Sequence, residues 1–290
     1  MHDRPWRAAG VMCLAVAAFV AHDASMKLLA GEVRMVQALA LRNAGVTLLF
    51  AGVAAATGEL RRWRVLAEPL VWYRSAADTT ATLLYMLALP HVALTMAVTL
   101  NMATPIVMLP MAAWLLGERI GHTRAVAVAV GFVGVVMVLR PGGEAVNAWL
   151  CASAASSLFF AARDAMTRRV PAAVPTMLMA LVMTAILGAV CALWATVDGW
   201  TPMGQRQWCI LALSSSLIAA GYYLCIVALR LGEVSLTSAF RYTAVPWGAA
   251  WGYVLWGETP DGAAAVGAAL ILASGLYALL NRSRTQPRLG

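Results

Sequence analysis

The residues best able to do chemistry are charged side chains inside long apolar stretches of the chain. They are His22, Asp23, Arg42, Arg74, Asp78, Arg163, Asp164 and Arg241. An ionisable group in such a stretch is expensive to bury, so it usually faces the interior of a helix bundle and often serves binding or proton transfer. These residues are therefore the first candidates for a functional site.

Arg74 and Asp78 are four residues apart, which places both on one face of a helix where they can form an ion pair. A structural ion pair is one interpretation of this spacing. In the other, Asp78 takes up a proton, or Arg74 binds substrate and thereby releases Asp78. Spacing alone leaves both interpretations open.

The same step of four residues separates Asp23 from Lys27 and Asp164 from Arg168. Both steps lie near the end of an apolar stretch, which favours ion pairs that anchor the helices or gate a path between them. Asp23 could instead pair with Arg42 in the next apolar stretch, and these two residues would then form an outer gate.

Arg241 has no acidic residue within four positions along the chain, and a buried arginine needs a partner. Asp78 could supply that partner from the other half of the chain. An anionic substrate could do so as well, since a guanidinium binds carboxylate or phosphate through two parallel hydrogen bonds. Arg74, Asp78 and Arg241 together carry one net positive charge, which favours a substrate with a carboxylate or phosphate.

The predicted substrate cavity combines these three residues with Asn101, Tyr222 and Tyr242. The tyrosines belong to an aromatic-rich region that could form a wall for a planar or amphipathic solute, although membrane interfaces also attract aromatic residues. Pro105 and Pro246 are each predicted to kink a helix, because proline lacks the N–H that the helix needs.

Composition indicates which elements must hold these residues. The chain is 62% hydrophobic and only 12% charged, whereas a soluble domain is about half apolar and a quarter charged. This excludes a soluble enzyme and a disordered chain. Ten apolar runs follow one another, at 8–28, 36–57, 68–89, 92–116, 123–139, 146–167, 174–197, 208–229, 236–256 and 262–281.

Most of these runs approach or exceed the 20 or so residues that a helix needs to cross a bilayer. They are continuous and do not alternate as strands of a barrel would. Pro90-His91 divides the longest uncharged stretch into two runs. We therefore predict an all-α membrane protein with ten transmembrane helices.

The net charge of +8 is mainly a signal of orientation. Thirteen Lys and Arg residues lie in segments on the side of the N terminus, and four lie on the opposite side. Cytoplasmic loops carry the excess of these residues. We therefore predict a multi-pass protein of the inner (plasma) membrane with both termini in the cytoplasm, and no nucleic-acid partner.

An internal repeat divides the chain. A shift of 140 residues aligns Leu116-Gly-Glu118 with Trp256-Gly-Glu258, and a shift of 141 aligns Phe19-Val-Ala-His-Asp23 with Phe160-Ala-Ala-Arg-Asp164. The halves, 1–145 and 146–290, then hold five runs each. Because five is odd, the second half enters the membrane with the opposite orientation. Inverted repeats are typical of secondary transporters, whose substrate site lies near the midplane between the halves.

At these residues the chain resembles the drug/metabolite transporter (DMT) superfamily, in its ten-helix EamA branch. Each half resembles one EamA repeat. The matching positions are Pro105, Gly117-Glu118-Arg119, Gly131-x-x-Gly134, Arg140-Pro141 and Arg42 in the first half, and Pro246, Gly257-Glu258 and Gly267 in the second, which lacks the Arg-Pro ending. The resemblance implies metabolite transport without naming the substrate, because members carry amino acids, nucleotide sugars, cofactors and other metabolites.

These observations predict a secondary active transporter of a small metabolite that works by alternating access, with no enzymatic activity. The substrate would be amino-acid-like, cofactor-like or another carboxylate-bearing solute, moved with protons or by counter-flow. The chain has no Gly-x-x-x-x-Gly-Lys-Ser/Thr loop for ATP and no cysteine spacing typical of metal sites, so no cofactor or metal is expected.

Three alternatives remain at this level. An uncoupled facilitator or exporter of amphipathic solutes would share the fold. A flippase for a lipid-linked anion would suit the excess of arginine. An intramembrane enzyme would have to use His22-Asp23. Small residues in Gly131-x-x-Gly134 and the last apolar run favour close helix packing, and a homodimer could use them.

Overall fold

The computed structural model describes residues 5–104, 106–107, 110–111, 122–139, 148–167, 169–171, 173–231 and 240–282. In that part of the chain ten α-helices with described bounds follow one another without a strand, and residues 106–107 and 110–111 are helical as well. They are α1 (Pro5–Ala30), α2 (Met35–Ala56), α3 (Pro69–Ala88), α4 (Leu94–Asn101), α5 (His122–Leu139), α6 (Ala148–Thr167), α7 (Thr176–Asp198), α8 (Gln205–Leu231), α9 (Ala244–Trp256) and α10 (Gly262–Arg282). Each helix overlaps one of the ten predicted apolar runs.

Short 3₁₀ segments mark three of the breaks, at Glu59–Ala67, Leu89–His91 and Phe240–Thr243. The second of these contains Pro90 and separates α3 from α4, where the sequence predicts a break. The third precedes α9, so Pro246 occupies the first turn of that helix. The N–H groups of a first turn have no partner within the helix. Pro246 therefore sits where proline is tolerated, and the predicted kink at this residue is replaced by the start of α9.

Four helices, α1, α2, α7 and α8, are long and apolar enough to cross a membrane by length and composition alone. Shorter apolar stretches lie in α5 and α10, at Ala125–Val138 and Gly262–Tyr277. α3 and α6 have 20 residues each, but each carries an arginine and an aspartate that lower its hydropathy. The predicted all-α, multi-span membrane fold is confirmed.

The most extensive helix packing joins the two halves of the chain. α1 packs on α8, α2 on α7, α3 on α6, α4 on α9 and α5 on α10. The first five helices correspond in order to the last five, so that α1 corresponds to α6 and α3 to α8. Exchanging every helix for its counterpart gives the same set of pairs. Two repeats related by a two-fold axis would produce this pairing. Residues at these contacts therefore lie between the halves.

The contact between α5 and α10 depends on two glycines. A Cβ atom on Gly134 would lie 2.7 Å from the carbonyl oxygen of Gly267, and a Cβ atom on Gly267 would lie 2.7 Å from that of Gly134. Only glycine lets two backbones approach so closely. The small residues that the sequence marks for helix packing are thus used within one chain.

Apolar side chains are both buried in the bundle and displayed on its outside. Met12, Met26 and Leu29 on α1 are fully buried and belong to the largest core cluster. By contrast, Leu48 on α2 and Phe132 on α5 are well exposed. Lipid tails solvate such an outer surface, so the main packing constraint falls on the polar residues between the halves.

Candidate functional site

Two groups of polar side chains lie at or beside the contacts between the halves. The α3–α6 cluster consists of Arg74 and Asp78 on α3 with Arg163, Asp164 and Thr167 on α6. The α1–α2 cluster consists of His22 and Asp23 on α1 and Arg42 and Asn43 on α2, joined by Tyr85 on α3 and Ser214 on α8. The repeat aligns His22-Asp23 with Arg163-Asp164, so the two clusters begin from equivalent positions.

Arg163 is the centre of the α3–α6 cluster. Its guanidinium Nη1 lies 2.6 Å from Asp78 Oδ1, and its Nη2 lies 2.8 Å from Asp164 Oδ1. The side chains of Arg163 and Asp78 are 20% and 5% exposed. The ring of Phe160 lies 4.8 Å from the guanidinium carbon and shields it further. One arginine therefore holds a carboxylate of each half.

Arg74 does not take the ion-pair partner that its spacing allows. Its Nε donates a hydrogen bond of 2.8 Å to Thr167 Oγ1, and its Nη1 contacts the sulfur of Met183 at 3.9 Å. Within the described residues no carboxylate lies at ion-pair distance from Arg74, because Asp78 faces Arg163 across the α3–α6 contact. The predicted Arg74–Asp78 pair is replaced by the Arg163–Asp78 pair.

Lys27 also pairs across the halves and not along its helix. Its Nζ lies 2.5 Å from Glu258 Oε1 and donates to the carbonyl of Val92 at 2.6 Å. Glu258 Oε2 in turn accepts the N–H of Leu94, and the Lys27 ammonium lies 4.7 Å from the ring of Trp256. We call these five residues the outer clasp, since they lie on the side predicted to face outward.

A pocket of about 550 Å³ adjoins the outer clasp and is lined by Lys27, Glu258, Trp256 and residues 90–93. Next to the clasp, Glu32 pairs with Arg206 and accepts a hydrogen bond from Gln207. The ends of α1, α8 and α9 are thus tied together on this side. Asp23 lies deeper and accepts a hydrogen bond of 2.9 Å from the Tyr85 hydroxyl.

Arg42 is almost fully buried, at 3% exposure. Its Nη1 lies 2.9 Å from His22 Nε2, and its Nη2 donates to Asn43 Oδ1 at 3.2 Å. The other ring nitrogen of His22, Nδ1, lies 3.1 Å from the carbonyl oxygen of Ser214. The alternative Asp23–Arg42 ion pair does not form, because Tyr85 holds the carboxylate and neutral groups hold the guanidinium.

Tyr222 on α8 lies between the two clusters. Its ring meets Phe19 edge-on at 5.3 Å and Phe50 at 6.1 Å. It is also within electrostatic range of Arg42, Asp78 and Arg163. Three aromatic rings from α1, α2 and α8 therefore stand beside charged groups from both clusters.

Among the described residues, the remaining predicted cavity residues make no hydrogen bond or ion pair with either cluster. The Arg241 side chain is exposed. Tyr242 is 5% exposed, and its hydroxyl has no partner among the described residues. Asn101 Oδ1 accepts a local hydrogen bond from Thr104. Two other predicted site residues, Pro105 and Arg168, lie outside the described residues.

Arg163 and His22 were candidates from the sequence but were not among the predicted cavity or gate residues, and Ser214 was not a candidate at all. Arg163 and His22 could be noticed because each is an ionisable residue inside an apolar run, and because the repeat aligns the two positions. Ser214 carried no such signal, since serine is common in membrane helices. Among the described residues no three His, Cys, Asp or Glu side chains are grouped to hold a metal ion.

A family model described as the EamA-like transporter family matches this chain twice, over residues 6–140 and 147–280. The chain is 26% identical to a riboflavin transporter of Rhizobium johnstonii, over 66% of this chain and 63% of that protein. It is 24% identical to an S-adenosylmethionine uptake transporter of Rickettsia bellii, over 67% of this chain and 66% of that protein. The matched region thus spans slightly less than two thirds of these two relatives.

The match to the pseudopaline exporter CntI of Pseudomonas aeruginosa is longer, at 26% identity over 81% of this chain and 78% of that protein. A solved crystal structure is similar with a TM-score of 0.62 and covers 96% of this chain and 99% of its own. At 21% identity this similarity shows a shared fold.

Proposed function

Because the chain belongs to the EamA-like transporter family, we propose that it is a secondary active transporter that carries a small metabolite across the inner membrane by alternating access. Family membership favours transport over an intramembrane enzyme. Relatives named as an uptake transporter and as an exporter both match the chain. The direction of transport is therefore not inherited from the family.

The observation that carries this proposal is the Arg163–Asp78 ion pair between the halves. In alternating access, contacts between two repeats must break and form again around a central site. Arg163 can release Asp78 without becoming a lone buried charge, because Asp164 on its own helix remains bound. Asp78 is then free to accept a proton or a charged group of the substrate.

The outer clasp supports the same mechanism from the other end. Lys27 belongs to the first half and Glu258 to the second, so this ion pair also crosses between the halves. Two cross-half ion pairs thus lie at different depths, with Tyr222 and the buried Arg42 between them. We assign the outer clasp as the outer gate and the Arg163–Asp78 pair as the inner contact that responds to substrate.

The site suits a solute with both a charged and an apolar part. The charges of the two clusters, three arginines and three aspartates, sum to zero, so the whole set does not select a substrate by net charge. The aromatic rings of Phe19, Phe50 and Tyr222 provide apolar contact area. Among the described residues Arg74 has no carboxylate at ion-pair distance, and this favours a carboxylate-bearing metabolite.

Purified protein in liposomes tests the proposal. A thermal-shift screen of metabolites first identifies a ligand, since a compound that binds only the folded state raises the melting temperature. We expect accumulation of that ligand against its gradient when a proton gradient or internal substrate is supplied. Arg163→Gln should lower the rate at least tenfold, because Asp78 loses the group that controls it.

Arg62→Gln is the control, since Arg62 is exposed in the 3₁₀ segment after α2. Its transport rate should match that of the unmodified protein. Equilibration without accumulation would indicate an uncoupled facilitator, and movement of a lipid-linked anion would indicate a flippase. Normal accumulation by Arg163→Gln would show that the ion pair has no part in transport.

A further inference from the structure

Arg42 carries a buried positive charge that the described residues do not neutralise by an ion pair. Its side chain is 3% exposed, and an arginine stays protonated in proteins. The two groups that accept hydrogen bonds from it, His22 Nε2 and Asn43 Oδ1, are both neutral acceptors. Its Nε atom is buried and has no hydrogen-bond partner in the described part of the chain. A buried positive charge whose hydrogen-bond partners are neutral would be stabilised by a bound anion.

The surrounding bonds hold the guanidinium in one orientation. A guanidinium can only donate, so His22 Nε2 must be the acceptor and His22 Nδ1 must carry the ring proton. That proton faces two oxygens of Ser214 on α8, the hydroxyl at 2.7 Å and the backbone carbonyl at 3.1 Å. On the other side, Asn43 is fixed by its own hydrogen bond of 2.7 Å to the carbonyl of Leu39. Nη1 and Nη2 are engaged in this arrangement, while the Nε–H has no hydrogen-bond partner in the described part of the chain.

The nearest acidic residue is already engaged. Asp23 follows His22 on α1 and is within electrostatic range of Arg42, but its carboxylate accepts the Tyr85 hydroxyl. It is not within ion-pair distance of the guanidinium. Asp23 therefore lowers the cost of burying Arg42 without occupying the Nε–H.

The aromatic rings give the site a second part. Phe50 lies eight residues after Arg42 on α2, which is about 12 Å along the helix axis and about 80° around it. Phe19 lies one turn before His22 on α1, and Tyr222 packs against both rings. A ligand with an oxyanion at one end and a planar apolar body within about 12 Å would fit both parts.

We propose that Arg42, positioned by His22 and Asn43, binds the carboxylate or phosphate of a substrate whose apolar part packs against Phe19, Phe50 and Tyr222. This rests on the proposed transport function and names the substrate class for it. Arg42 takes the role of anion-binding residue that the sequence suggested for Arg241. His22 is a positioning residue that acts through the guanidinium.

Direct binding to purified protein tests this assignment without any transport step. The probes are 3-phenylpropionate, its neutral amide 3-phenylpropionamide, and 2-phenylethyl phosphate. We expect one of the two anions to bind at least tenfold more tightly than the amide, since tenfold corresponds to about 1.4 kcal/mol and one charge-assisted hydrogen bond to the Nε–H contributes at least that much. The better anion then shows which oxyanion the site takes. Equal affinity for both anions and the amide overturns the proposal.

Variants identify the residue responsible. Arg42→Gln should abolish the preference for the anion and leave amide affinity unchanged, which also shows that the variant is folded. Arg42→Lys should keep part of the preference, and His22→Ala should reduce it several-fold at constant amide affinity. Arg62→Gln is the matched control and should keep it in full. Retention of the full preference in Arg42→Gln overturns the assignment.

The transport assay separates this inference from the proposed function. If the anion binds through Arg42 but no solute crosses liposomes, the binding site stands and the transport proposal fails. If solute is accumulated and Arg42→Gln leaves the KM for anionic solutes unchanged, the transport proposal stands and the Arg42 assignment fails.

Discussion

The Arg163–Asp78 pair makes a quantitative prediction about folding as well as transport. At 2.6 Å and an effective dielectric constant of about 20, the Coulomb attraction is roughly 6 kcal/mol, and desolvation of the two ions offsets much of it. Arg163→Gln leaves the buried Asp78 carboxylate without its ion-pair partner. We expect this variant to lower the free energy of unfolding by about 3 kcal/mol.

Asp78→Asn should be milder. Arg163 keeps Asp164 at 2.8 Å in that variant, and an asparagine oxygen can still accept its hydrogen bond. We expect a loss of about 1 kcal/mol, the size of an ordinary hydrogen bond. The double variant should lose roughly 2 kcal/mol rather than the sum of the single losses, since removal of both charges leaves neither unpaired.

The assay is reversible unfolding of purified protein in mixed micelles with increasing SDS, followed by circular dichroism. The unmodified protein, the two single variants and the double variant form a double-mutant cycle. Their free energies of unfolding should give an interaction energy of about 2 kcal/mol between the two side chains. Arg62→Gln is the control variant, because Arg62 is exposed in the 3₁₀ segment after α2 and should show little coupling to Asp78. Losses that add to within about 0.5 kcal/mol would refute the reasoning.

Three further predictions follow from packing, topology and the outer clasp. Gly134→Leu should lower the melting temperature strongly, since any side chain there meets the backbone of α10, whereas Gly52→Leu should not, because nothing lies within 4 Å of its Cβ position. In a cysteine-free background, an impermeant maleimide added to intact cells should label Gly204→Cys and leave Arg62→Cys unlabelled; the reverse pattern contradicts the predicted orientation. Lys27→Ala should lower the melting temperature while Lys27→Arg keeps it, and equal melting of the two would show that the clasp adds no stability.

Sequence reasoning predicted the helices well because each one carries its own signal. In lipid, an apolar run long enough to cross the bilayer folds as a helix whatever its neighbours are. The reason is that its backbone N–H and C=O groups can hydrogen-bond only to each other. The break at Pro90 was visible for the same local reason. The position of Pro246 was harder, because the start of α9 at Ala244 depends on the 3₁₀ segment before it.

Pairing between charges was the weakest part of the sequence reasoning. A spacing of four residues made Arg74–Asp78 and Asp23–Lys27 plausible pairs, yet Asp78 bonds to Arg163 and Lys27 bonds to Glu258. Partners that are 85 and 231 residues away along the chain are invisible to a local pattern. The repeat did contain a clue, since it aligned His22-Asp23 with Arg163-Asp164 and marked both as special.

The sequence by itself determined the class of protein and the number of apolar runs, and it predicted the repeat and the few charges inside those runs. These properties depend on composition and on distances along one helix. Only the tertiary structure decided that α3 faces α6, that Arg42 bonds to His22, and that Arg241 is exposed. The reason is that a buried charge takes the partner that packing brings within about 3 Å, and helix packing is a property of both halves together.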